Sequence, residues 1–297
     1  MAEKHHDLPF HVEMVTGVQY GTADDGKPLL LDLAYPKETP GMPAPEKTPV
    51  IIEVHGGGWH LGERSIGRGL LMPLQGYFYA SIDYRMSYEA IFPAQIHDVK
   101  AAIRWVRAHA NRYNLDADRI GLYGGSAGGH LVTLAGCTGD LAELEGHSGW
   151  EGYSTRVQAV AAVNPPTDMS VSEQEWAWLY QDDGPAEWLF GGRLQDHTTL
   201  VRSSGAMNYA NEDAPPYLLI HGTKDDIVPF SQASMLHNRL CDLGVESTLV
   251  AFNGIDHALY GYTVQVWEHV MPFFKKHLGY PINYGKHDVV TVHTERI

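Results

Sequence analysis

The sequence predicts an α/β protein: a mostly parallel eight-stranded sheet with helices on both faces and a cap or lid inserted late in the chain. Three observations carry this. Short apolar runs alternate with longer amphipathic ones, the pattern of strands buried beneath helices. Between the fourth and fifth of the short runs, Ile96, Val99, Ile103 and Val106 recur at spacings of three and four, which makes one core-facing helical stripe. The chain has 297 residues, 44% of them hydrophobic and only 19% charged, so it can bury a large core and does not read as disordered.

Taken in order, the strand candidates are Val12 to Gln19, Leu29 to Tyr35, Val50 to His55, Tyr77 to Tyr84, Ile120 to Tyr123, Val157 to Val163, Tyr217 to His221 and Ser247 to Phe252. Helices are expected at Pro93 to Tyr113, Ala127 to Cys137, Ser231 to Leu243 and Gly261 to His277. Thr39 to Thr48, with three prolines, reads as a surface loop. From residue 165 to 215 the alternation stops: there is no clean strand, yet Trp176, Trp178, Tyr180, Trp188 and Phe190 are concentrated there. We read this segment as a cap over the sheet within a single domain, and residues 280–297 as a polar tail.

The formal charge of −15, from 36 acidic and 21 basic residues, repels phosphate backbones, so no nucleic-acid partner is expected. No apolar run is long enough for a membrane span, and the opening MAEKHHDLPF has no apolar signal-peptide core, so the expectation is a cytoplasmic chain. Cys137 and Cys241 are expected as reduced, buried thiols. Among 17 histidines none forms an H-E-x-x-H pair, and neither glycine-rich segment ends in Gly-Lys-Ser/Thr, so neither metal nor cofactor is expected.

The strongest chemical signal is Gly124-Gly125-Ser126-Ala127-Gly128-Gly129-His130, a G-x-S-x-G sequence directly after one predicted strand and directly before a predicted helix. A serine on so sharp a turn needs small neighbours, and Gly124 and Gly128 provide them. The second signal, His55-Gly56-Gly57-Gly58-Trp59, ends the strand Val50 to Val54; successive glycines can turn bare N–H groups toward a developing oxyanion. A base and an acid are also on offer. His221-Gly222-Thr223-Lys224-Asp225-Asp226 and Asp256-His257 each follow a strand, at the sheet end where Ser126 sits, in the chain order Ser, Asp, His. Asp225, Asp226 and Asp256 compete for the acid; adjacent side chains in extended backbone point apart, which disfavours Asp256 beside His257. Glu53 lies in an apolar strand and requires a buried partner, while Arg85 with Asp98 reads as a structural ion pair.

With these motifs, and with Asp83-Tyr84-Arg85, Phe92-Pro93-Ala94-Gln95-Ile96-His97-Asp98 and Asp213-Ala214-Pro215-Pro216, the chain resembles the α/β-hydrolases of the hormone-sensitive-lipase-like esterase group. Within that group it is most similar to the bacterial bifunctional feruloyl and acetyl-xylan esterases, from about Leu29 to His277. The resemblance implies a serine carboxylic-ester hydrolase with Ser126 as nucleophile, Asp225 as acid, His257 as base, and an oxyanion hole from the N–H groups of Gly57, Gly58 and Ala127. It implies small acyl or aromatic esters as substrates, acetyl or feruloyl esters of sugars among them. Trp59, Trp176, Trp178 and Trp188 are candidate substrate walls. The alternatives are an amide hydrolase on the same scaffold, such as an arylformamidase, more remotely a peptidase, and a binding protein that kept the fold without the chemistry.

Overall fold

The structure, a computed structural model, describes residues 10–38, 47–259 and 263–279. The expected loop at 39–48, apart from its last two residues, and the expected tail at 280–297 lie outside them. In chain order the elements are β1 (Phe10–Thr22), β2 (Pro28–Glu38), β3 (Thr48–Val54), α1 (Leu71–Leu74), β4 (Phe78–Ile82), α2 (Ala94–Ala108), α3 (Ala110–Tyr113), β5 (Leu115–Gly125), α4 (Ala127–Cys137) and β6 (Ala159–Val163). Then follow α5 (Pro185–Phe190), α6 (Thr198–Ser204), β7 (Tyr217–Gly222), α7 (Phe230–Asp242), β8 (Ser247–Phe252) and α8 (Thr263–Leu278), with short 3-10 turns between some of them. All eight strands form one sheet in the order β1-β2-β4-β3-β5-β6-β7-β8. β2 runs antiparallel to both β1 and β4, and every pairing from β4 onward is parallel. This is the α/β-hydrolase architecture that the resemblance implied.

The burial pattern explains why the inner strands read as unbroken apolar runs. Along β3, Val50, Ile52 and Val54 point into one core with α2, α4 and α7, while Ile51 points into a second core with Met72 of α1 and Val266, Val270 and Phe274 of α8. Neither face of such a strand meets water, so neither face needs polar residues. Glu53 is the exception on β3, and its partners are now visible: Tyr79 and Ser81 of the neighbouring β4 both donate hydroxyls to Oε2, Ser81 at 2.9 Å. Arg85 and Asp98 do pair, with Nη2 2.8 Å from Oδ1 and Nε 2.9 Å from Oδ2.

Three expectations shift. The helix expected as Pro93 to Tyr113 divides at His109, whose backbone leaves helical geometry (φ −102°, ψ 9°) while its Nδ1–H donates to the Trp105 carbonyl at 2.8 Å. β5 starts five residues earlier than the apolar run, because Leu115 already pairs with Thr48 of β3 ahead of an irregularity in the register, and the residues between it and Ile120 include Asp116, Asp118 and Arg119, which interrupt the apolar pattern. Cys137 is buried, its thiol pushed up to about 12 by burial, but Cys241 is exposed, and both are free. Residues 164–216 hold α5, α6 and no strand, and Trp176, Leu189, Phe190 and Val201 sink into the same core as α4 and α7. Among the described residues no helix is long and apolar enough to cross a membrane.

Candidate active site

The serine turn is built from its glycines. Ser126 is the single residue between β5 and α4, with φ 54° and ψ −121°, a conformation that a side-chain-bearing residue adopts only under strain. Two hydrogen bonds hold it there: its N–H donates to Val163 O at 2.8 Å, and its carbonyl accepts from His130 N–H at 2.9 Å. A methyl group on Gly124 would lie 2.6 Å from the Gly128 backbone, and one on Gly128 would overlap the Val54 carbonyl. Glycine at both positions lets α4 start against the end of β3.

The serine hydroxyl meets a histidine from a distant loop. Ser126 Oγ lies 3.0 Å from His257 Nε2, and His257 Nδ1 lies 2.8 Å from Asp225 Oδ2. Asp225 follows β7 and His257 follows β8, both at the sheet end where β5 delivers Ser126. The Asp225 side chain is fully buried; its Oδ1 accepts the N–H groups of Ile227 (3.0 Å) and Val228 (2.8 Å), and His221 Nε2 stands 3.2 Å from Oδ2. Burial pushes this carboxyl up, but His221, His257 and the Val228 N–H outweigh it and hold the group well below the usual carboxylate range. An ionised Asp225 requires the proton of neutral His257 on Nδ1, which leaves the Nε2 lone pair facing the serine hydroxyl. Of the competing carboxylates, Asp226 is exposed, and Asp256 is exposed and accepts the Ala258 N–H at 2.9 Å.

The triple glycine lies against the serine turn. A methyl on Gly56 would be 2.7 Å from Gly125 O and 3.3 Å from Ser126 Cβ, so the loop can lie there only without side chains. Gly57 and Gly58 have φ of 115° and 60°, and the Gly57 carbonyl turns back to accept from His60 and Leu61 at 3.1 and 2.9 Å. Ala127 opens α4, where main-chain N–H groups have no acceptor within the helix. The segments of Gly57, Gly58 and Ala127 therefore flank Ser126 from two sides.

The four tryptophans separate. Trp59 is 1% exposed and donates its indole N–H to His130 Nδ1 at 3.0 Å; Trp176 is 2% exposed and donates to Ile227 O at 2.6 Å. Both are core residues, so the expectation of a substrate wall is corrected for these two: Trp59 adjoins the glycine loop in sequence and Trp176 falls in the expected cap, but their N–H groups are satisfied inside the protein. Trp178 and Trp188 are half-buried. Trp188 sits over the ring of His60 at 4.2 Å, and His60 in turn meets the edge of Tyr88, which is 68% exposed. A methyl on Gly58 would touch Pro185 at 3.4 Å, so α5 carries Trp188 alongside the glycine loop. His60 and Tyr88 were not legible as part of this patch, because single polar aromatics in a loop carry no periodic signal. Among the described residues no group of three or more His, Cys, Asp or Glu side chains is placed to hold a metal ion.

Residues 31–240 match the BD-FAE family. The chain belongs to that family. Among curated relatives, the Esterase LipQ of Mycobacterium tuberculosis is 32% identical over 81% of this chain and 56% of its own length; the chain spans about half the length of the curated relatives it matches. Among solved structures, a truncated carbohydrate esterase from gut microbiota superimposes with a TM-score of 0.79 and 28% identity over 90% of this chain and 96% of that one. A bifunctional GH43-CE protein of Bacteroides eggerthii gives a TM-score of 0.74 and 29% identity over 89% of this chain and 38% of that one.

Proposed function

We propose that this BD-FAE chain is a serine carboxylic-ester hydrolase acting on small acyl esters, acetyl or aromatic acyl esters of sugars among them. The observation that carries the reading is the hydrogen-bonded series Ser126 Oγ, His257, Asp225, set beside the glycine loop. Ser126 Oγ attacks the ester carbonyl while His257 Nε2 takes its proton, and Asp225 holds the imidazole in the tautomer that permits this. The negative charge that develops on the carbonyl oxygen is met by the N–H groups of Gly57, Gly58 and Ala127, each donor contributing on the order of 3 kcal/mol to the transition state. His257 then protonates the departing alkoxide, and a water activated by the same imidazole releases the acid from Ser126.

Residues 165–215 act as the cap in this reading, with Trp178 and Trp188 as walls for the substrate and Trp188, His60 and Tyr88 as a ring-binding patch. The similarity to a protein described as a carbohydrate esterase supports sugar esters as the substrate class. The acidic chain, with a net charge of −15, suits neutral esters better than anionic ones.

The test is labelling followed by turnover. A fluorophosphonate should modify Ser126 with one equivalent and abolish hydrolysis of p-nitrophenyl acetate, and Ser126→Ala should be neither labelled nor active. Stoichiometric labelling elsewhere with loss of activity would overturn the assignment. A panel of acetylated xylan, feruloyl esters and N-formylkynurenine then separates ester from formamide chemistry.

A further inference from the structure

β6 ends at Val163, and the next residue, Asn164, leads into the segment 165–215. Val163 O accepts the Ser126 N–H at 2.8 Å. Asn164, one residue on, donates Nδ2–H to the His257 carbonyl at 2.8 Å and accepts the Gly222 N–H on Oδ1 at 3.2 Å. Gly222 ends β7 and leads into the Asp225 loop, whose Asp225 N–H donates to Gly222 O at 3.3 Å. One dipeptide thus fastens the main chains that carry nucleophile, base and acid.

The Asn164 backbone adds an independent observation. Asn164 is 3% exposed and has φ 46°, in the left-handed region, although Pro165 follows it and a residue before proline favours extended backbone. Its own N–H is tied to Ile220 O at 2.8 Å, which keeps it in register with β7. Strain at a buried side-chain-bearing residue persists only where surrounding contacts over-determine it, and here those contacts lead to Gly222 and His257. The short amide side chain tolerates this backbone and offers a donor and an acceptor at once, which the two main-chain partners require.

We propose that Asn164 is a positioning residue that sets the spacing of His257 from Ser126 by clamping the His257 main chain to the ends of β6 and β7. The proposal rests on the reading of Ser126, His257 and Asp225 as the catalytic residues. Asn164 touches no reacting atom, so its removal acts on the alignment of the base.

Asn164→Asp keeps the size, the tolerance of the left-handed backbone and the acceptor for Gly222, but replaces the donor to His257 with an oxygen facing a carbonyl. With p-nitrophenyl acetate, this variant should lose about 10- to 100-fold in kcat with KM within about twofold of wild type, because a small displacement of the base weakens the transition state more than substrate binding. Asn164→Gly, which accepts the backbone without strain but lacks both side-chain bonds, should show the same division between kcat and KM. In a His257→Ala background Asn164→Asp should change the residual kcat by less than about twofold, since the residue acts through His257. An unchanged kcat in the folded Asn164 variants, or an equal fold loss with and without His257, would overturn the proposal and make Asn164 a merely structural link. Near-wild-type activity in His257→Ala alone would instead remove the catalytic reading on which the proposal stands. If melting curves show that Asn164→Asp does not fold, Asn164→Gly carries both comparisons.

Discussion

At Asp225 every oxygen is occupied: two backbone N–H groups meet Oδ1, and His257 with His221 meets Oδ2. The neighbouring Asp226 is exposed, although the sequence offers the two as a pair. Asp225→Asn should lower kcat by about four orders of magnitude, because an amide in place of the carboxylate leaves the His257 imidazole in the wrong tautomer, while Asp226→Asn should stay within about threefold of wild type. Steady-state kinetics on both variants decides this, and the reverse ranking would move the acid to Asp226. Ser126 was legible from its local motif, since a strand, a turn of glycines and a helix are contiguous in the chain. Asn164 was not: it is one polar residue at a strand end, and its partners lie 58 and 93 positions away. Glu53 announced itself only as an unexplained buried charge, because Tyr79 and Ser81 reach it from the strand beside it.

The elements of the sheet and the cap were legible to different degrees, and for a physical reason. Elements written as uninterrupted apolar-rich runs bounded by turn residues can be read, as at α4, which is buried along its whole length, and β8, whose bounds both match the expected ones. In the cap, α5 has six residues and α6 seven, too few turns for a periodic stripe, so only the concentration of aromatics marked the segment. The structure divides those aromatics by burial, and their mutational behaviour should divide likewise. Trp176→Ala should cost about 3 to 5 kcal/mol of stability by emptying a fully buried site, with substrate preference unchanged in the folded fraction. Trp188→Ala should cost about 1 kcal/mol, since a half-buried ring on a surface helix leaves no closed cavity, and should shift kcat/KM between bulky aromatic esters and acetyl esters. Urea unfolding with a two-substrate assay reads both quantities; equal destabilisation by the two changes with unchanged preference would return Trp188 to the core.

For the whole molecule, two histidines link folding to pH. His130 is fully buried, donating Nε2–H to Ser204 O at 2.7 Å and accepting from Trp59 on Nδ1, and burial pulls its pKa down to about 4. His97 is lowered to about 4 as well, by burial first and then by the nearby Arg85 charge. Because the folded protein keeps both rings neutral, the unfolded chain binds more protons once pH falls below about 6.5. Stability should therefore decline from about pH 6.5 to about pH 4, His130 alone accounting for roughly 3 kcal/mol, and Asp225, whose folded carboxyl is depressed, should add a further loss only below about pH 4. Urea midpoints at pH 7, 5.5 and 4 test this; His130→Gln should be less stable at pH 7 yet show a flatter decline, and an unchanged slope would rule out the buried ring as its source. The sequence by itself determined the fold class, the eight strands and the serine and glycine turns, because apolar runs and glycine clusters are each written in a contiguous stretch, whatever part of the chain they later pack against. The tertiary structure alone decided which tryptophans are core and what Asn164 joins, and it brings Asp225, the aspartate that the resemblance implied, against His257. Those choices depend on loops folded onto each other across as many as 131 residues, and burial and hydrogen bonding at that range leave no local pattern in the chain.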